Sequence, residues 1–169
     1  LQGVIAGKGG GGVITVNSML GHLAMELGHQ VISAETHGMA MRGGSVSTFI
    51  KIGDFQSPSI ASGSCHFILS LDDDEAVRNI RYLREKGLCM VSTSGKGPEL
   101  PEGMYRLETI DAVGLASQKF NRPILASQIM IGRLIQSFPV IFPRDKSLAI
   151  LEMMPRISMD AIKTGVFYG

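Results

Sequence analysis

Two glycine-rich runs hold the residue types suited to an anionic ligand. The first is GKGGGG, residues 7–12, in which Gly7, Gly9 and Gly12 satisfy G-x-G-x-x-G between an apolar run and an amphipathic one. That arrangement brings backbone N–H groups to a pyrophosphate. The second is THGMAMRGGSV, residues 36–46, which places His37 and Arg42 among glycines. Arg42 ahead of Gly43 and Gly44 makes a clamp of one guanidinium beside bare amides, suited to phosphate or carboxylate. Glu35 stands about where a dinucleotide fold keeps its ribose-binding acid. Each run also has a plainer reading. Glycines at 9–12 permit close contact with a neighbouring loop or subunit, and Gly43-Gly44 turns the chain beside a structurally paired Arg42. The residue types alone leave these readings open.

The other candidates are weaker. Asp72-Asp73-Asp74-Glu75 offers carboxylates to a divalent cation, but it sits where a helix begins and suits capping better. Arg78, Arg81 and Arg84 recur every three residues, as on a solvated helix face or one that docks an acidic electron-transfer partner. Ser94-Gly95-Lys96-Gly97 lacks P-loop spacing and reads as loop. His22, His29 and His66 have no metal-like neighbours in the sequence. Cys65 and Cys89 fit no ligand spacing and read as buried thiols in a reducing compartment, so no zinc or iron–sulfur site is expected in this chain. No Ser–His–Asp or Cys–His pairing follows from spacing.

The elements that must position the two glycine runs are legible from periodicity. An apolar strand at 2–6 leads into the first run. From Val13 the apolar positions Val13, Val16, Leu20, Leu23 and Leu27 step by three and four, a helix that Gly28 ends in the left-handed conformation. A second strand at 30–35 leads into the second run. Residues 45–53 alternate, with Val46, Thr48, Ile50 and Ile52 on one drier face. This segment follows strand 30–35 with no helical crossover, so it should pair antiparallel to a neighbour. Segments 65–71 and 88–93 read as strands buried on both sides. Between them a helix over 72–87 is expected, with Ala76, Val77, Ile80 and Leu83 inward and Gly87 as its stop. A short strand at 104–109, helices at 111–120 and 124–138, and two more from Lys146 to Met153 and from Met159 to Thr164 complete the chain. Alternating strands and helices imply a three-layer α/β/α fold with a mixed, mostly parallel sheet.

The 169 residues form one expected domain, 1–169, with no linker or repeat. A formal charge of +1 and few aromatics give no field or stacking platform for nucleic acid. No apolar run reaches the ~18 residues of a membrane span, so no membrane partner and a cytoplasmic location are expected. The opening LQGVIAG reads as a strand, not a signal peptide, and a residue or more is expected to precede Leu1.

The order GKGGGGV, helix, AETHGMAMRGGSVSTFIKIGD resembles the gamma domain of 2-oxoacid:ferredoxin oxidoreductases, and within that family the small (beta) subunits of the indolepyruvate enzymes. The family pattern runs G-x-G-G-Q-G-V, then E-V-H-G-M-[SA]-Q-R-G-G-S-V. Gly7, Gly9, Gly10, Gly12 and Val13 match the first part. Glu35, His37, Gly38, Met39, Ala40, Arg42, Gly43, Gly44, Ser45 and Val46 match the second. Ile52-Gly53-Asp54, Ser57-Pro58, the strand-to-acidic-helix unit at 65–87 and the Ala161-x-x-x-Gly165 ending extend the likeness over almost the whole chain. Gly11 and Met41 stand where the family has glutamine, and Ser127 stands at or near a family asparagine. The resemblance implies the domain III fold of pyruvate:ferredoxin oxidoreductase. It further implies a non-redox subunit that is inactive alone and works with a large catalytic subunit. The complex would decarboxylate a 2-oxoacid on thiamine diphosphate with magnesium, pass electrons through iron–sulfur clusters to ferredoxin, and give the acyl group to coenzyme A. None of these cofactors is expected to be held by this chain alone. Its implied share is part of the coenzyme A region, with Gly9, Gly10, Gly11, Gly12, His37, Arg42, Gly43 and Gly44 as binding residues and no catalytic residue. Two rivals remain: an NAD-dependent oxidoreductase built on the glycine loop and Glu35, and a purely structural interaction subunit.

Overall fold

A computed structural model describes residues 1–37 and 43–168, with the side chains of residues 36 and 37 left aside. The chain runs β1 (Gln2–Lys8), α1 (Val13–Glu26), β2 (Val31–His37), β3 (Ser45–Ile52), β4 (Cys65–Ser70), α2 (Asp73–Asn79), β5 (Leu83–Ser92), β6 (Arg106–Ile110), α3 (Ala112–Phe120), α4 (Ala126–Ser137), α5 (Arg144–Met153) and α6 (Met159–Val166). The six strands form one sheet in the order β2-β3-β1-β4-β5-β6. β3 runs antiparallel to both β1 and β2, and β4, β5 and β6 extend β1 in parallel. The sheet is therefore mixed and mostly parallel, as the strand and helix alternation predicts. The reversal falls on the segment that follows β2 without a helical crossover.

The two faces of the sheet are covered unequally. One carries α1, α3, α4, α5 and α6 over Ile5, Ile50, Leu69 and Met90. The other is covered by the single short helix α2, with Ile60 and Leu83 packed on Val4, Phe49, Ile68 and Cys89. Because both faces are covered, Thr48 through Ile52 are all buried, where alternation predicts one drier face. Phe49 meets Tyr82 edge to face at 5.1 Å between ring centroids.

The helix expected over 72–87 is shorter than its periodicity suggests. α2 stops at Asn79, one 3₁₀ turn follows at Ile80–Tyr82, and the chain enters β5 at Leu83. Val77 faces solvent, and Arg78, Arg81 and Arg84 fall on a helix, a turn and a strand, so they share no face. Pairing wins over periodicity here. Leu83 sits opposite Cys65, and the register then shifts before Phe67 meets Leu88. The surplus residues are taken up at Lys86, which adopts φ 58 and gives its N–H to the carbonyl of Met104 at 2.8 Å.

Candidate functional site

Five parallel strands end at one edge of the sheet, at Lys8, His37, Ser70, Ser92 and Ile110, and β3 begins there at Ser45. Open α/β sheets bind ligands at this carboxyl edge, where loops are free of the ladder. Both glycine runs lie on it. Residues 8–11 close a tight turn, with the Gly11 N–H donating to the Lys8 carbonyl at 2.9 Å and Gly10 at φ 89. A positive φ at the third residue defines a type II turn and calls for glycine there. Gly12, at φ 99, then opens α1 with no side chain capping its first N–H groups. The Gly9 N–H donates to the carbonyl of Gly44 at 2.8 Å, so the second run is tied directly to the first.

The structure thus brings Gly9, Gly10, Gly11, Gly12, Gly43 and Gly44 to one place, with the His37 backbone ending β2 opposite Val46. Arg42 and residues 38–41 lie outside the described residues. Glu35 is not the end of its strand, because β2 continues to His37. β3 also stands between β2 and β1. A ribose acid in a dinucleotide fold sits on the strand next to the glycine loop. Here the intervening strand doubles the separation to about 10 Å. That geometry weighs against the nicotinamide reading.

Cavities of about 240 and 260 Å³ flank the turn, the first touching Gly9, Gly10 and Gly12 and the second Gly10 and Gly11. Both are walled by Ile124, with Ile14 and Val46 on one side and Val113 on the other. Ile14, Val113 and Ile124 are 41%, 50% and 60% exposed, an apolar rim around the turn. Sequence reading missed this rim. Its one available signal was Ile14, an isoleucine off the buried stripe of α1.

The adjoining stretch of the edge has the opposite character. A cavity of about 440 Å³ is lined by Asp72, Asp73 and Asp111. These carboxylates serve the fold. Asp72 Oδ1 accepts the N–H groups of Asp74 and Glu75, Asp111 Oδ1 accepts that of Gly114 at 2.8 Å, and Asp73 Oδ2 accepts the Thr93 hydroxyl at 2.8 Å. The capping reading of the acidic run therefore holds, and among the described residues no cluster of three or more ligating groups could hold a metal ion. Lys8, which begins the turn and lines the first of its two cavities, points its ammonium to within 2.7 Å of Asp72. That hydrogen bond and charge raise the Lys8 pKa above its usual value, and its charge is spent on Asp72. Glu75 is buried and accepts the Ser45 hydroxyl at 2.5 Å, tying the start of β3 to α2.

Cys65 and Cys89 are buried in the sheet, and burial pushes both thiols up to about 12. Metal ligation and nucleophilic attack both need the thiolate, so neither residue suits those roles.

The comparisons with known proteins agree with this architecture. The family model described as pyruvate ferredoxin/flavodoxin oxidoreductase matches residues 2–166. Indolepyruvate oxidoreductase subunit IorB of Archaeoglobus fulgidus is 36% identical over 118 residues, which is 63% of this chain and 59% of that protein. Subunit IorB of Pyrococcus horikoshii is 28% identical across 96% of this chain and 93% of its own length. Among solved structures, the keto/oxoacid ferredoxin oxidoreductase gamma subunit from Geobacter sulfurreducens superposes with a TM-score of 0.78. It is 22% identical, covering 97% of this chain and 95% of that one. No helix among the described residues is long and apolar enough to cross a membrane. The chain belongs to the pyruvate ferredoxin/flavodoxin oxidoreductase family, as a small subunit of the 2-oxoacid:ferredoxin oxidoreductase type.

Proposed function

We propose that this chain is the non-redox subunit of a cytoplasmic, thiamine-dependent 2-oxoacid:ferredoxin oxidoreductase, and that its glycine edge forms part of the coenzyme A region beside a larger catalytic subunit. One observation supports this above others: with the Gly9 and Gly11 amides spent on the carbonyls of Gly44 and Lys8, those of Gly10 and Gly12 are left for a ligand inside an apolar rim. Bare N–H groups at the start of α1 suit phosphate. Ile14, Val113 and Ile124 suit an uncharged arm, and coenzyme A carries both parts. When bound, its thiol would take up the acyl group produced on the thiamine of the partner subunit. The part of this chain is to bind and orient. The amides of Gly10 and Gly12 hold a phosphate, Arg42 and the amides of Gly43 and Gly44 supply further donors, and the apolar rim excludes water from the arm. Asp73 and Asp111 repel phosphate from the adjoining stretch of the edge and so bias the direction in which the ligand lies. Thiamine diphosphate, magnesium and the iron–sulfur clusters are assigned to the partner, since two buried thiols held at about 12 do not fit a four-cysteine cluster.

The test is Arg42→Ala in the reconstituted complex, assayed for apparent affinity toward coenzyme A. Loss of one charge-assisted contact should weaken it by about tenfold. Unchanged affinity with assembly intact removes Arg42 from the site and favours a purely structural subunit. Micromolar binding of NAD(H) by the isolated chain would overturn the reading in favour of a nicotinamide enzyme.

A further inference from the structure

Beyond the glycine edge, a cleft of about 540 Å³ opens between the first turns of α1 and α4 and the segment joining α5 to α6. It is the largest of the clefts described here and falls in the range of small-molecule sites. Its charge is of one sign. Arg122 and Arg156 line it, and no aspartate or glutamate does. Among the described residues neither arginine has a carboxylate partner, as is true also of Arg81 and Arg84, but Arg122 and Arg156 alone share a cleft. Thr15 and Ser127 add hydroxyls, and Met19 and Ile157 supply an apolar wall, with Thr15 and Ile124 standing between this cleft and the glycine turn.

The arginine positions are built into the fold. Arg156 is one of three non-glycine residues at positive φ among the described residues, at 63°. Gln128, 6% exposed, holds it there, donating to the Arg156 carbonyl at 3.1 Å and accepting the Ser158 N–H at 2.7 Å. Arg122 follows Asn121, which has φ 50, and its N–H is fixed on the carbonyl of Ala116. Two unpaired guanidiniums on constrained backbone, facing an apolar wall, match a doubly charged head on a small organic body.

We infer that this cleft is a second ligand site, one that takes a phosphoryl group carried on a small organic molecule. The inference does not rest on the coenzyme A reading of the glycine turn.

The test is amide NMR of the full chain titrated separately with inorganic phosphate and phenyl phosphate. Saturable shifts are expected at Gln128, Arg156, Ile157 and Ser158, with phenyl phosphate bound several-fold more tightly than the bare ion. R122Q/R156Q should weaken phenyl phosphate by more than about tenfold, through the loss of two charge-assisted contacts. Q128A, which keeps both charges, should weaken it through loss of positioning. Shifts confined to Gly9–Gly12 would overturn this site while leaving the glycine turn as an anion site. Undiminished binding in folded R122Q/R156Q would also overturn it. Equal affinity for the two probes would overturn the organic body.

Discussion

Gly12 and Ser127 meet where the glycine turn passes α4: a β-carbon on Gly12 would lie 3.3 Å from that of Ser127. Ser127 is 4% exposed, and its hydroxyl donates to the Ile124 carbonyl at 3.1 Å. The serine therefore sets how closely α4 approaches the turn. Ser127→Asn, the residue type the family pattern carries near this position, would push a larger amide against Gly12. Overpacking of this kind costs about 1–3 kcal/mol. Ser127→Ala forfeits one hydrogen bond and should cost about 1 kcal/mol. Urea midpoints of the two variants test the order. An asparagine variant as stable as the parent would show that the turn can retreat.

How much of this was legible in the sequence depends on whether a feature is local. The glycine run between β1 and α1 and the left-handed stop at Gly28 rest on glycines at fixed offsets, and both appear as read, while the type II turn that the run makes was not foreseen. The antiparallel setting of β3 followed from the missing crossover. The length of α2 was not legible, because Ile80, Arg81 and Tyr82 continue a helical period while Leu83 is drawn into a ladder with Cys65. That pairing is a long-range choice which no local window contains. The apolar rim was hidden for the same reason. Ile14, Val113 and Ile124 come from three elements and meet only once the sheet edge is assembled.

Helices α4 and α6 cross on two glycines. A methyl on Gly132 would overlap the carbonyl oxygen of Ile162, and one on Gly165 that of Ile129. Both obstacles are backbone, which cannot rotate away. Gly132→Ala and Gly165→Ala should each cost about 2 kcal/mol or more, and lower Tm by about 4–8 °C in a domain of this size. Because the two sites share one crossing, the double variant should lose less than the sum. Calorimetric melting of the three variants decides this, and strict additivity would mean that each glycine acts alone.

The Ser45–Glu75 bond couples the glycine edge to α2. Glu75 is 3% exposed and has Arg78 at 3.4 Å on its other oxygen. Ser45→Ala leaves a buried carboxylate oxygen without its donor, at a cost of about 1–3 kcal/mol. A double-mutant cycle with Glu75→Gln should return a coupling of about 1 kcal/mol. A coupling near zero would show that water replaces the hydroxyl.

His66 gives the fold a pH dependence of known sign. Its Nδ1 accepts the Gln2 N–H at 3.2 Å, so the proton that makes the imidazolium must displace that bond. Burial, and then the charge of Arg84, hold its pKa below the usual 6.5. Below about pH 6.5 the unfolded chain takes up this proton before the folded one does, and stability falls with pH until the lower folded value is passed. Above that window His66 contributes no slope. Urea midpoints measured from about pH 8 to about pH 5 should decline for the parent. In His66→Gln, whose amide oxygen can still accept the Gln2 N–H, the decline should be shallower. Parallel curves for the two proteins would show that other groups carry the acid response.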